Sequence, residues 1–71
     1  MNWIKELKVG DGFYHEDKSY YAIITEMDSD QVRWIWYRRD GGRHSSPYLY
    51  LKEFYDLDFI IPMTDLDRAL L

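Results

Sequence analysis

Hydrophobic and polar positions alternate along most of this chain. In "YYAIITEM", Tyr21, Ile23, Thr25 and Met27 fall on one side and Tyr20, Ala22, Ile24 and Glu26 on the other, the period of two that a strand requires. "VRWIWYRRDGG" repeats the pattern: Val32, Trp34, Trp36 and Arg38 point one way, Arg33, Ile35, Tyr37 and Arg39 the other. The first of these faces predicts core. On the second, arginine stems can lie on neighbouring rings while their heads stay in water.

Breaks in the alternation predict the turns. Gly10 and Gly12 flank Asp11 before Phe13 and Tyr14 and predict a bend or bulge; "HEDKS" and "DSD" predict polar turns. Asp40-Gly41-Gly42 predicts a hairpin, because glycine tolerates the positive φ of tight turns. "RHSSPYLYLKEF" admits a strand through Tyr48 and Tyr50 or a helix from Ser46 and Pro47; the expectation is a strand ending in a helical turn near Leu51 to Tyr55. Leu57, Phe59 and Ile61 alternate with Asp56 and Asp58, which predicts a short closing strand stopped by Pro62. At the ends, Asn2 can cap a turn carrying Trp3, Ile4 and Leu7 on one side. Thr64 and Asp67 have the spacing of a capping box for a short C-terminal helix or frayed tail.

Five short strands separated by short turns predict a single mainly β domain over residues 1–71: a small five-stranded antiparallel barrel with short helical turns at the termini. "KVGDGFYHEDKSYYAIITEMDSDQVRWIWYRRDGG" resembles the Tudor branch of SH3-like barrels, with a "VGD" first strand, a tyrosine-led second strand and a third strand running into a glycine turn; the likeness spans roughly residues 8 to 57. The resemblance implies an SH3-like barrel and an aromatic cage for methylated lysine or arginine, in which Tyr20 and Tyr37 match two cage positions. The sequence departs from that cage elsewhere. The loop after the first strand lacks its aromatic residue, and Asp40 and Gly42 replace the usual tyrosine and asparagine. Partly buried barrel tyrosines are the plainer reading.

Composition narrows the function classes. At 71 residues one small core is all the chain can build, and a deep enzyme cleft is not expected. No cysteine is present to supply a disulfide or thiolate site, so packing falls to three tryptophans, seven tyrosines and three phenylalanines. That is more ring surface than the interior can hold. The net charge of −4 weighs against a whole-protein footprint for nucleic acid or anionic membrane. No apolar run approaches membrane-spanning length, and a cytoplasmic setting is expected.

The charge is uneven. Residues 33–44 hold Arg33, Arg38, Arg39 and Arg43 against Asp40, whereas residues 53–71 hold Glu53, Asp56, Asp58, Asp65 and Asp67 against Arg68. Two candidate surfaces follow. Tyr20, Trp36, Tyr37, Arg38, Arg39 and Arg43 combine the residue types enriched in binding hot spots. Glu53, Asp56, Asp58, Asp65 and Asp67 form an acidic stretch that could steer a basic partner or imitate a phosphate backbone, as small acidic phage inhibitors do.

The expected function is non-enzymatic protein binding, with a nucleic-acid mimic that blocks a nucleic-acid-processing or defence protein as the alternative. A nucleic-acid-binding barrel stacking bases on Tyr14, Tyr37 or Trp36 ranks third. An exposed edge or surplus ring could also support a homodimer. Catalysis finds no support: His15 beside Glu16 and Asp17, and His44 beside two serines, are chain neighbours that point apart on an extended backbone. "DSDQ" lacks the remaining ligands of a calcium loop. No metal and no cofactor is expected.

Overall fold

The computed structural model describes residues 3–70, with Arg43 and His44 described by their backbone alone. The proposed Asn2 cap lies outside the described residues. A 3-10 turn (Trp3–Glu6) leads into β1 (Gly12–His15), β2 (Tyr20–Met27), β3 (Gln31–Arg38), β4 (Arg43–Ser45), β5 (Tyr48–Tyr50), α1 (Leu51–Phe54), β6 (Ile60–Pro62) and α2 (Asp65–Ala69). All strand pairings are antiparallel, in the order β4-β3-β2-β1-β6 with β5 also on β3. β4 meets β3 at Trp36 and Tyr37, and β5 meets it at Gln31 to Arg33. The two are one edge strand broken around Pro47, which removes a ladder donor, so six strands fill five positions.

The mainly β antiparallel architecture is therefore as the alternation predicts, including its helical turns at the ends. Closure is not. Among the described residues no pairing joins β6 to β4 or β5, and the sheet stays open. The edge strands on both sides are short, none longer than three residues.

Aspartates set the turns by accepting backbone hydrogen bonds two or three residues on. Asp17 accepts from Ser19 N–H at 2.9 Å, Asp28 from Asp30 and Gln31 N–H at 2.7 and 2.9 Å, and Asp40 from Gly42 N–H at 3.2 Å. Those bonds hold the Asp28 carboxyl below its ordinary range, since they stabilise the charged form. "DSDQ" is thus a turn, as expected. Gly41 at φ +102° supplies the left-handed residue of the β3–β4 hairpin.

Ile4, Phe13, Ala22, Ile24, Val32, Trp34, Phe54 and Ile60 form one buried cluster on the inner face of the sheet. Each large side chain fully removed from water contributes roughly 1.5–3 kcal/mol. Trp3 and Leu7 pack against this cluster beside Ile4, so the N-terminal turn lids the core with the side that carries all three. Two details depart from strict alternation. A bulge between Ile24 and Glu26 inserts Thr25 and turns Met27 to the core side, instead of leaving it with Tyr21 and Ile23. In the last strand Ile60 takes the buried position while Ile61 is half-buried; Leu57 and Phe59 reach the core from the preceding loop.

Candidate functional site

Four rings from separate segments converge at the hairpin end of the sheet. Ala22 pairs with both Phe13 and Trp36, and Tyr20, two residues earlier on β2, shares their face. Because Ala22 is small, Trp36 drops an edge against Phe13, with centroids 5.5 Å apart at 84°. β1 ends at His15, whose ring lies 6.1 Å from Trp36, 6.4 Å from Tyr20 and 5.5 Å from Phe59. Tyr20 and Trp36 are 6.4 Å apart. The four rings line an outward-opening depression of about 200 Å³, room for one side chain. Each of the four is half-buried.

The turn before Tyr20 fixes the rim. Asp17 accepts from the Ser19 hydroxyl at 2.7 Å, and His15 Nδ1 lies 3.1 Å from the same carboxylate. The Ser19 hydroxyl and N–H bonds, with a smaller contribution from His15, hold the Asp17 carboxyl below its ordinary range. Beside this rim lies a shallower hollow of about 360 Å³ formed by Ser19, Tyr20, Arg38, Arg39 and Asp40.

The six residues expected to form a binding surface do not share one face. Tyr20, Trp36 and Arg38 stand on the inner side, and Arg38 is tied to Asp40 at 2.6 Å. Tyr37 lies on the opposite side, stacked on Tyr21 at 5.2 Å and 18°. Arg39 also crosses to that side, its guanidinium 5.7 Å from the Tyr14 ring. The Arg43 side chain lies outside the described residues. Tyr37 therefore cannot complete a cage with Tyr20, since a strand sends Trp36 and Tyr37 to opposite faces.

The expected acidic stretch is likewise divided. Glu53 is exposed on α1, Asp56 and Asp58 follow it, and Asp65 stands in the first turn of α2. Asp67 is committed locally: it accepts from Thr64 N–H at 3.0 Å and from the Thr64 hydroxyl at 2.9 Å, closing the predicted capping box. Those bonds hold its carboxyl below the ordinary range, with a further contribution from the Tyr14 hydroxyl.

Tyr14 is 4% exposed, which withdraws it as a base-stacking ring. Burial pushes its hydroxyl pKa up; the Asp67 charge and hydrogen bond add to this, and Arg39 opposes them.

Sequence reasoning missed His15 and Phe59 as parts of the ring site. His15 drew attention only for its acidic neighbours, and Phe59 only as a closing-strand residue; no local signal reveals that β6 returns beside the end of β1. Among the described residues no group of three or more His, Asp or Glu side chains is placed to hold a metal ion, and no helix is long and apolar enough to cross a membrane. No family model, curated protein or solved structure matches the chain.

Proposed function

We propose that this chain is a non-enzymatic protein-binding module of SH3-like build, and that its partner inserts a side chain into the depression lined by His15, Tyr20, Trp36 and Phe59. The observation that carries this reading is the convergence of four half-buried rings on one opening. Rings held rigidly by the sheet bind at low entropic cost, and Trp, Tyr and Arg dominate interface energetics. The return of β6 onto β1 after a helical turn supports the SH3-like reading. The hairpin next to the depression, with Arg38 already paired to Asp40, acts as a polar rim that orients the partner.

Affinity capture from the native host tests this with three baits: the wild-type chain, Tyr20→Ala, and Arg38→Glu with Arg39→Glu. One protein should be retained by the wild type, fall roughly tenfold or more with Tyr20→Ala, as expected for a hot-spot truncation, and fall less with the arginine reversals. Amide spectra matching the wild type would certify that each bait is folded. Equal retention by all three folded baits would overturn the proposal.

A further inference from the structure

The outer edge of β6 carries a second surface, remote in sequence from the arginine hairpin. Two depressions of about 520 and 430 Å³ lie along it, and both are lined by Trp3 and Pro62. The two meet at Trp3 and Pro62, and we treat them as the two halves of one groove. Glu6, Asp11 and Asp65 wall one half, and Asp56 and Asp58 the other.

Arg68 is the one cation among the lining residues, and its guanidinium donates to the Gly10 carbonyl. None of the five carboxylates forms an ion pair among the described residues. Lys5 reaches only the Tyr55 ring of the second half, at 5.8 Å.

Among the described residues the backbone of Ile60 has no ladder partner on the side away from β1. Glu16 N–H donates to the Phe59 carbonyl at 2.7 Å. In the alternating antiparallel ladder, that bond turns Ile61 toward β1 and directs the Ile60 N–H and C=O away from it, on the side where Ile60 lines the second depression. Pro62 offers no N–H there, which limits how far another strand can extend along this edge.

We propose that this groove docks a short, extended, lysine- or arginine-bearing segment of a partner protein. The segment pairs with Ile60, crosses Trp3, and sets a cationic side chain into each acidic half. Charge selects this occupant: a second copy of the chain would bring like carboxylates together in a protein of net charge −4, and nucleic acid is repelled for the same reason. The indole adds cation–π attraction for an ammonium or guanidinium passing over it. The proposal stands apart from the ring-lined depression, because it uses different residues at another edge of the sheet.

Titrating the isotope-labelled protein with an acetylated, amidated octapeptide of alternating lysine and valine, and with its glutamate–valine counterpart, tests the proposal. The lysine peptide should shift the Trp3 indole N–H and the amides of Glu6, Ile60, Ile61 and Met63, and the glutamate peptide should shift none of them. Asp58→Asn and Asp65→Asn, both at exposed positions, should each weaken the lysine peptide about two- to fivefold, the range for solvent-exposed ion pairs. Shifts centred on Tyr20 and Trp36, shifts spread evenly to Asp28 and Glu53, equal binding of both peptides, or no shift at all would each overturn the groove as a specific site.

Discussion

The two faces of the sheet are covered by different chemistry. On the inner face Phe13, Ala22, Ile24, Val32 and Trp34 are sealed beneath Phe54, Ile4 and Ile60, all 6% exposed or less. Among the described residues the outer face has no second hydrocarbon layer. Tyr14 is buried there beneath polar groups: Asp67 receives its hydroxyl, and Lys18 and Arg39 each lie 5.7 Å from its ring. Tyr21 and Tyr37 cover each other, and Met63 lies over Gly12, where an added Cβ would come within 2.8 Å of its sulfur. A chain of this length can bury one apolar layer well, and the other face is closed with charged side chains whose stems and heads do different work. The inner face should thus respond to lost volume and the outer face to pH.

The largest effect is expected from Phe13→Ala. Phe13 is fully buried and touches Trp34, Trp36 and Phe54, so its truncation should cost about 3–5 kcal/mol. That is comparable to the whole stability of a small domain. Denaturant titration should show a largely unfolded chain; a midpoint close to wild type would mean that the inner face is not the main source of stability.

A smaller and qualitatively different response is expected from Tyr14→Phe, at about 1 kcal/mol near neutral pH for one lost hydrogen bond. The Asp67 carboxyl is depressed in the folded chain, so its contribution is present above the unfolded aspartate value near 3.9 and is lost as pH falls through the folded value. The Tyr14 hydroxyl is raised, so its contribution is present below the unfolded tyrosine value near 10 and is lost as pH rises through the folded value. Unfolding midpoints across pH should therefore lose the Tyr14 part of the alkaline limb in the variant. The acid limb should become shallower but persist, because the Thr64 bonds to Asp67 remain. Unchanged profiles on both limbs would show that polar cover does not stabilise the outer face.

The smallest effect belongs to α2 itself. Leu66 and Leu70 are 70% and 77% exposed, although their spacing would suit an inward stripe. Leu66→Ser with Leu70→Ser should shift stability by no more than about 0.5 kcal/mol for each change. A loss of several times that in thermal unfolding would mean that α2 docks through its leucines and not through Asp67 and Arg68.

Much of the fold was legible because it rests on local rules. The bounds of β2 and β3, the aspartate and glycine turns, the strand that ends in a helical turn, and the Thr64–Asp67 box all depend on neighbours within four residues. The candidate site was half legible. Tyr20 and Trp36 could be chosen from residue type and alternation, whereas His15 and Phe59 join them only because β1 pairs with both β2 and β6.

By itself the sequence determined the strand period, the turn positions and the excess of rings over interior. Tertiary structure alone decided where that excess goes. Trp36 and Tyr37 are both half-buried, one in a four-ring depression and the other stacked on Tyr21 across the sheet. The bulge at Thr25, the burial of Ile60, the open sheet and the outward leucines of α2 belong to the same class. Alternation and capping are satisfied within a few residues of backbone, but burial is set by what distant segments place against a side chain, and no local pattern encodes that.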